Sequence, residues 1–347
     1  MSSNATAVVG FSEHDLLAIQ QVMQAAGVAL QGSLKAEFIA GGRSNLTFRL
    51  TDGSSAWVIR TPPRLGRTPS AHDIAREYRV TEALWATQVP VPRPVTLCED
   101  EGKIGGAFAI WDFVPGRTIQ RKDQLDQLSD EAVAATSTEL IETLAALHRV
   151  DHVTVGLERF GRPSGYAQRQ LKRWAGQWQL VGPSDLGTLA AGIIGRLSAS
   201  IPPQRATSIV HGDYRIDNTI LDPVGTSVAA VVDWELSTVG DPVADVAMMC
   251  AYRHRAFDLI VGAPSAWTSQ RLPDVEALAT AYEAAGGAEL ADWAFHLGLA
   301  YFKIGVIAAG IDYRSRAGAV SGSGFDTAGE SIATYLQLAA ESLGGAR

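Results

Sequence analysis

The residues best suited to chemistry lie in the segment IVHGDYRIDNTILD, residues 209–222. In it, Asp213 precedes Asn218 by five residues, and apolar runs flank the pair. A plain hairpin would use two to five turn residues and would need neither of these side chains. A later apolar run, SVAAVVD, ends at Asp233, fifteen residues after Asn218. If the two runs pair across a turn at 222–225, Asp233 returns beside Asp213 and Asn218.

These three side chains suit a magnesium–nucleotide site. Mg²⁺ prefers carboxylate and carbonyl oxygens and completes its octahedron with water and phosphate, so Asn218 and Asp233 are predicted metal ligands. Asp213 is then free to accept or orient a substrate hydroxyl proton, as in kinase phosphoryl transfer. Each residue alone could be a turn or cap residue. The ordered set favours catalysis.

The hydrophobic periodicity predicts which elements position these residues. Ser12 and Asp15 form a capping pattern for a first helix. Residues 34–60 alternate with period two and predict three strands, followed by a helix within 71–87 and two further strands. After 115–116 the pattern becomes mostly helical. We therefore predict an α+β fold, with a small antiparallel sheet lobe at 1–113 and a larger, mainly helical lobe at 114–347.

Composition narrows the function classes. A formal net charge of −8 argues against a general nucleic-acid binder. Cys98 and Cys250 have no metal-type spacing, and the N-terminus does not resemble a signal peptide, so a cytoplasmic protein is expected. The apolar segment 297–311 is short for a membrane span and contains Lys303, so we interpret it as a buried helix. Both a monomer and a homodimer remain open.

The motifs together resemble a known family. H-G-D-x-x-x-x-N, then D-W-E, then G-D-P-x-x-D is similar to the aminoglycoside/choline-kinase-like phosphotransferases, a branch of the protein-kinase-like fold. GGRSNLTFRL, REYR and YFKIGVIAAGI resemble its acyl-CoA-dehydrogenase-associated subgroup. Together these motifs extend over most of the chain. The resemblance implies a bilobal kinase-like fold and Mg²⁺-dependent transfer of the γ-phosphoryl group of ATP or GTP to a small-molecule hydroxyl.

The resemblance also implies individual roles. Asp213 would be the catalytic base, His211 would shape its loop, and Asn218 and Asp233 would bind Mg²⁺. Arg60 takes the place of the family's phosphate-binding lysine, and Glu77 would orient that cation. It implies nucleotide contacts for the loop between the first two strands, with Gly41, Gly42, Ser44 and Asn45. It also implies that the backbone of a hinge at residues 110–113, with Trp111 and Phe113, would hydrogen-bond the nucleobase. Glu235 could touch metal or substrate.

Arg60 is a departure from the family pattern. Arginine carries a planar donor fork and is always charged, so it can clamp phosphate but does not simply replace lysine. This leaves a nucleotide-binding pseudokinase with a regulatory or interaction role as the alternative to an enzyme. The intact set of Asp213, Asn218 and Asp233 favours the enzyme.

The charge of the acceptor is predicted from residues 159–184, which contain five cationic side chains and no acidic residue. Arg169 and Arg173 share a helical spacing of four, as do Trp174 and Trp178. In kinases of this type the helices of this region form the acceptor side of the cleft. We therefore predict an anionic or neutral hydroxylated acceptor, such as an acyl-CoA-like or hydroxy-acid compound. The alternatives are an aminoglycoside acceptor and a merely solvated basic helix.

Overall fold

The computed structural model describes residues 10–41, 45–62, 74–318 and 324–344. The chain forms two compact units. The N-terminal unit comprises Met1–Pro115 with Ala230–Glu235, and the C-terminal unit comprises Gly116–Ala229 with Leu236–Arg347. The sequence predicts that residues 230–235 belong to the second lobe. The structure instead groups this segment with the N-terminal unit, where the Val231 N–H donates to the Pro90 carbonyl at 2.8 Å.

The N-terminal unit contains an antiparallel sheet of five strands in the order β1-β2-β3-β5-β4. Alternating burial along β2 and β3 matches the period-two pattern of the sequence, because successive side chains of a strand face opposite sides of the sheet. The strands are β1 Lys35–Gly41, β2 Leu46–Thr51, β3 Ala56–Thr61, β4 Pro94–Cys98 and β5 Phe108–Asp112.

The turn between β2 and β3 sets the register that places Arg60. The Asp52 carboxylate accepts hydrogen bonds from the backbone N–H groups of Gln31, Ser54 and Ser55 at 2.7–2.9 Å. These bonds hold the pKa of Asp52 below its usual range. Gly53 adopts φ +95°, a region that favours glycine. The resulting register pairs Arg60 with Thr47 on β2, inside the sheet.

The described residues of this unit form two helices, α1 (Glu13–Ala25) and α2 (Ile74–Leu84). The predicted capping pattern is present in α1, because Ser12 and Asp15 exchange side-chain-to-backbone hydrogen bonds. Helix α2 carries Glu77 and packs on β5, where the Trp111 Nε1–H donates to Thr81 Oγ1 at 2.8 Å. The Trp111 side chain is therefore part of the core of this unit.

The C-terminal unit is mainly helical. Its described residues include the short strands β6 Ser208–Val210, β7 Thr219–Leu221, β8 Val228–Val231, which crosses the unit boundary, and β9 Thr238–Gly240. The helices are α3 Lys122–Leu125, α4 Asp130–Arg149, α5 Tyr166–Val181, α6 Gly187–Ala199, α7 Pro242–Ala251, α8 Phe257–Val261, α9 Val275–Ala284, α10 Trp293–Arg316 and α11 Ile332–Gly344.

Helix α10 is longer than the sequence prediction. Its 24 residues are apolar enough to cross a membrane by length and composition alone. In the structure, 78% of its apolar window is buried inside the protein, against α5, α7 and α11. It is thus a core helix of the C-terminal unit, as the sequence indicates.

Short strands deliver the predicted catalytic segment. Strand β6 pairs antiparallel with β9, with Ile209 opposite Val239, and leads directly into His211. The predicted turn after β7 is present, because the Asp222 N–H donates to the Ser227 carbonyl at 2.9 Å. The Asp222 carboxylate accepts from the N–H of Gly225 at 2.8 Å and stabilises the same turn.

Candidate active site

The loop after β6 is held through its backbone. Asp245, on α7, is buried and accepts hydrogen bonds from the N–H groups of His211 at 2.6 Å and Gly212 at 2.7 Å. Gly212 adopts φ +83°, and a Cβ there would lie 2.8 Å from the Leu236 carbonyl oxygen. Only glycine fits both requirements. The H-G-D segment is thereby fixed before any side chain of the loop contributes.

A histidine that the sequence analysis did not single out supports Asp245. The His148 Nε2 atom lies 3.2 Å from Asp245 Oδ2, and its Nδ1 atom lies 2.7 Å from the Tyr282 hydroxyl. Burial favours the neutral form of Asp245, but the bonds from His148 and His211 outweigh it and keep the pKa of this carboxyl below its usual range. Its position on the inward face of α4 was the only sequence signal for His148.

The Asp213 carboxylate has several donors around it. Arg215 Nη1 lies 2.5 Å from Oδ1, and Asn218 Nδ2 lies 3.0 Å from Oδ2. The Tyr252 hydroxyl also bonds to this carboxylate. Burial raises the pKa of Asp213, while the Arg215 charge opposes the rise. A carboxylate offers about four lone-pair sites, so one acceptor position stays available for a hydroxyl proton.

Arg215 is a second residue that sequence reasoning missed. Its guanidinium also bonds both oxygens of Asp217 at 2.9 Å. It stacks over the rings of Tyr252 at 4.6 Å and Phe257 at 5.0 Å. The available signal was its place two residues after Asp213. A fixed cation at this position limits the rotation of the Asp213 side chain.

Asn218 presents an oxygen. Its Nδ2 donates to both the backbone carbonyl and the carboxylate of Asp213 at 2.8 and 3.0 Å, which assigns the amide orientation. The Oδ1 atom accepts no hydrogen bond from the residues that the structure describes. An oriented carboxamide oxygen of this kind fits a hard cation such as Mg²⁺.

Asp233 is one of two non-glycine residues with positive φ in the described ranges, at φ +65°. Aspartate tolerates this region better than most residues. Its Oδ1 accepts a hydrogen bond from Arg60 Nη2 at 3.2 Å, and its side chain is 35% exposed. A partly exposed carboxylate with one occupied oxygen fits the second predicted magnesium ligand. No group of three or more Asp, Glu, His or Cys suited to a metal occurs among the described residues.

Arg60 and Glu77 form a buried ion pair, as the family resemblance implies. Arg60 Nη1 bonds Glu77 Oε1, and the two side chains are 14% and 5% exposed. Burial raises the pKa of Glu77 to about 7 against the opposing Arg60 charge. For Arg60, Glu77 and Asp233 outweigh burial and raise the pKa. Within the described chain, Arg60 Nε and Glu77 Oε2 are buried and have no hydrogen-bond partner.

Comparison with known proteins identifies this arrangement. The phosphotransferase enzyme family matches residues 35–299, which contain the sheet, the predicted catalytic segment and Asp233. The chain belongs to this family.

Relatives of the chain include much longer proteins. It is 33% identical over 302 residues to acyl-CoA dehydrogenase family member 10 of Mus musculus, covering 86% of this chain and 28% of the mouse protein. It is 32% identical over 297 residues to family member 11 of Homo sapiens, covering 84% of this chain and 38% of the human protein. The chain thus spans about a third of the length of these relatives.

Solved structures share its fold. A crystal structure from Ralstonia eutropha that carries the description aminoglycoside phosphotransferase aligns with a TM-score of 0.82 at 34% identity, over 95% of this chain and 98% of that one. Aminoglycoside phosphotransferase APH(4)-Ia, in complex with AMP-PNP and hygromycin B, aligns with a TM-score of 0.60 at 17% identity, over 90% of this chain and 95% of that one. The predicted α+β kinase-like fold is confirmed.

The loop between β1 and β2, for which the resemblance implies nucleotide contacts, is described only in part. Gly41 ends β1, whereas Gly42 and Ser44 lie outside the described residues. Asn45 is 1% exposed, and neither atom of its amide has a hydrogen-bond partner in the described chain. An unsatisfied buried amide is costly, and a phosphate oxygen would satisfy its NH₂ group.

Two backbone N–H groups of the predicted hinge segment, residues 110–113, already have acceptors in the structure. The backbone N–H of Phe113 donates to the Ala56 carbonyl at 3.1 Å, and that of Asp112 donates to the Arg93 carbonyl at 2.9 Å. These two donors are therefore not free for a nucleobase, because the sheet already uses them. The Phe113 ring lies 5.2 Å from the Arg49 guanidinium.

The predicted acceptor helix is present as α5, but its cations differ in role. Arg169 donates to the backbone carbonyls of Ser164 and Arg162, so it stabilises the preceding loop. Arg173 is exposed and stacks over Trp174 at 5.3 Å. Trp178 is 7% exposed and packs on Phe302 in the core. Of the two predicted arginines, Arg173 is the one whose guanidinium remains available to a ligand.

Two further residues are Glu235, which the sequence offers as a metal or substrate contact, and Lys303. Glu235 is half-buried in the N-terminal unit, close enough to Arg60 for its charge to raise the pKa of that guanidinium. In the sequence, Lys303 indicates only that its apolar segment is not a membrane span. In the structure its Nζ lies 5.6 Å from the Trp174 ring centroid. The sequence signal that could have singled out Lys303 was its place as a single lysine within an apolar helix.

Proposed function

We propose that the chain transfers the γ-phosphoryl group of ATP or GTP to a hydroxyl of a small molecule, with Mg²⁺ and with Asp213 as catalytic base. The observation that carries this proposal is the fixed Asp213 carboxylate. Two rigid donors orient it, and its loop is held through buried backbone hydrogen bonds. Such positioning is most of what phosphoryl transfer requires from a protein.

Asn218 and Asp233 would hold Mg²⁺ through their side-chain oxygens. When bound, the ion would neutralise charge on the phosphates of the nucleotide. Arg60 would donate its planar fork to phosphate oxygens, with Glu77 limiting its rotation from α2. Asp213 would accept the acceptor's hydroxyl proton as that oxygen attacks the γ-phosphorus. The bond from the γ-phosphorus to the β–γ bridging oxygen would break, and ADP or GDP would leave. The Arg215 charge favours the ionised carboxylate that this step needs.

A nucleotide-binding pseudokinase is the second candidate, and one observation favours it. In the structure Arg60 donates a hydrogen bond to Asp233. The arginine predicted to bind phosphate and a carboxylate predicted to bind the metal are therefore each other's partners. A pseudokinase would bind nucleotide tightly and transfer nothing. Incubation with Mg·ATP or Mg·GTP and a panel of hydroxylated metabolites, with phosphorylated product detected by mass spectrometry, tests the two. Product formation supports the kinase, and binding without product supports the pseudokinase.

Arg60→Ala is expected to weaken ATP binding by tenfold or more while adenosine binding changes little, because the guanidinium contacts phosphate and not the nucleoside. Calorimetry with both ligands measures the two losses. Arg79→Ala, which removes an exposed arginine of the same unit, is the control. Equal losses for ATP and adenosine would assign Arg60 a purely structural role. Because Glu77 loses its partner, a thermal melt should accompany each titration.

We further propose that the acceptor is anionic or neutral rather than an aminoglycoside. A polycationic acceptor would need carboxylates, whereas α5 contains none and carries the exposed Arg173. An acyl-CoA-like or hydroxy-acid compound fits this sign. The names of the relatives agree with an acyl-CoA context but refer to much longer proteins.

Arg173→Glu is therefore expected to raise the acceptor KM severalfold and to leave the KM for ATP nearly unchanged. The reversed charge would repel an anionic acceptor and compete for Lys303. Steady-state kinetics with the best acceptor of the panel measure both constants. Arg255→Glu, a reversal at an exposed arginine outside α5, serves as the control. Efficient phosphorylation of kanamycin-type compounds by the unmodified protein would contradict this acceptor class.

A further inference from the structure

Lys303 is an unusual residue for its helix. It is the only charged residue in the fifteen-residue run LGLAYFKIGVIAAGI of α10. The residues beside it are buried, and Lys303 itself is half-buried. An amine placed among apolar side chains is destabilising unless an opposite charge accompanies it.

No carboxylate within the described ranges pairs with Lys303. Burial lowers its pKa, while Asp213 and Asp245 act in the opposite direction. Both carboxylates are already engaged. Asp245 accepts bonds from the loop amides and His148, and Asp213 accepts bonds from Arg215 and Asn218. The ammonium group is thus close enough to feel the predicted catalytic base but is not neutralised by it.

The surroundings of Lys303 offer donors without acidic groups. It lines a cavity of about 20 Å³ between α5, α7 and α10, and no Asp or Glu is among the lining residues. Gln170 also lines this cavity, and its Oε1 accepts from Trp174 Nε1 at 3.0 Å. Its amide NH₂ therefore remains a donor that has no acceptor in the described chain. Burial favours the neutral form of His296, which also lines the cavity, because it lowers the pKa of that imidazole against the opposing charge of Asp241.

We propose that Lys303 and the Gln170 amide bind one compact oxyanion of the acceptor, a carboxylate or a phosphate oxygen, and so position its hydroxyl for Asp213. This inference rests on the proposed function and makes Lys303 a specificity-determining residue of the same site. The cavity is about the size of one water molecule, so it can take one oxygen of such a group and excludes a bulky substituent. The Trp174 ring covers the ammonium group through a cation–π contact.

The test is a binding measurement without turnover. Calorimetry compares ligand binding by the wild type and by Lys303→Met, which keeps the side-chain length and loses the charge. The ligands are short hydroxy acids (lactate, malate and hydroxybutyrate), their methyl esters and their CoA thioesters. We expect affinity for the acids, the thioesters or both to fall at least tenfold, and methyl-ester binding to stay unchanged. Lys103→Met removes an exposed lysine from the other unit and should change nothing.

A second variant protects the test from a folding defect. Gln170→Glu places an anion beside Lys303 without altering α10, and the same loss is expected. Loss for the acids alone identifies a carboxylate as the bound group, and loss for the thioesters alone identifies a phosphate. Equal changes for charged and methylated compounds, or no wild-type binding of any acid or thioester, would overturn the inference.

The same variants separate this inference from the proposed function. Binding that depends on Lys303, together with no phosphoryl transfer to any bound compound, would support the oxyanion site and refute the kinase. Transfer by Lys303→Met with an unchanged acceptor KM would support the kinase and refute the oxyanion site.

Discussion

Asp213→Asn is expected to lower turnover by about a hundredfold or more while nucleotide affinity stays close to that of the wild type. The substitution keeps the shape of the side chain but removes the carboxylate that would accept the hydroxyl proton. It also removes the charge that Arg215 contacts at 2.5 Å. Single-turnover phosphoryl transfer and calorimetry with Mg·ATP measure the two quantities.

Two comparisons make the Asp213 result specific. Asp185→Asn, the same change at an exposed aspartate of the C-terminal unit, should leave turnover and affinity unchanged. Thermal melts should show that Asp213→Asn remains folded, because Asp245 holds the loop through backbone bonds that this change does not touch. Near-normal turnover in folded Asp213→Asn would refute its assignment as the base.

Asp233→Asn should make nucleotide affinity nearly independent of Mg²⁺ and should reduce turnover by at least about a hundredfold. The variant removes the charged oxygen proposed to hold the ion. Asparagine, like aspartate, tolerates the left-handed backbone at φ +65°, so this change tests the charge and not the backbone. Asp233→Ala removes the ligand entirely and should be inactive. Titrations of ATP with and without Mg²⁺ measure the effect.

The chain contains a matched control for this second substitution. Asp292 is the other described non-glycine residue with positive φ, at +54°, and it pairs with Arg205 on an exposed surface. Asp292→Asn should keep the Mg²⁺ dependence of nucleotide binding and the wild-type turnover. If Asp233→Asn also keeps both, Asp233 is not a magnesium ligand.

The structure changes the argument about Arg60. From the sequence, Arg60 was a departure that raised the possibility of a pseudokinase. In the fold the Arg60 guanidinium contacts both Glu77 on α2 and Asp233 after β8. The predicted phosphate-binding residue therefore pairs directly with a predicted metal ligand. Nucleotide phosphates could replace Asp233 as its partner and free that carboxylate for the ion. The ratio of ATP to adenosine affinity in Arg60→Ala therefore tests whether Arg60 binds the nucleotide phosphates or serves only as a structural partner of Glu77 and Asp233.

Local patterns in the sequence were sufficient for the elements and for the reactive residues. The period-two runs of 34–60 and the turn residues Asp52 and Gly53 predict the hairpins, because side-chain alternation and positive φ are properties of a few neighbouring residues. The spacing of Asp213 and Asn218 predicts their contact for the same reason. The family resemblance added the fold and the pairing of Arg60 with Glu77, and these two side chains form an ion pair in the structure.

The tertiary structure alone decided how these residues are supported and which cations remain available. His148 supports Asp245 from 97 positions away in the chain, and no local pattern encodes such a contact. Arg169 and Arg173 look equivalent in the sequence, yet one bonds loop carbonyls and the other stays exposed. Lys303 meets Trp174 only because α10 packs against α5. Contacts between distant segments depend on how helices pack, whereas periodicity reports only which face of each helix is buried.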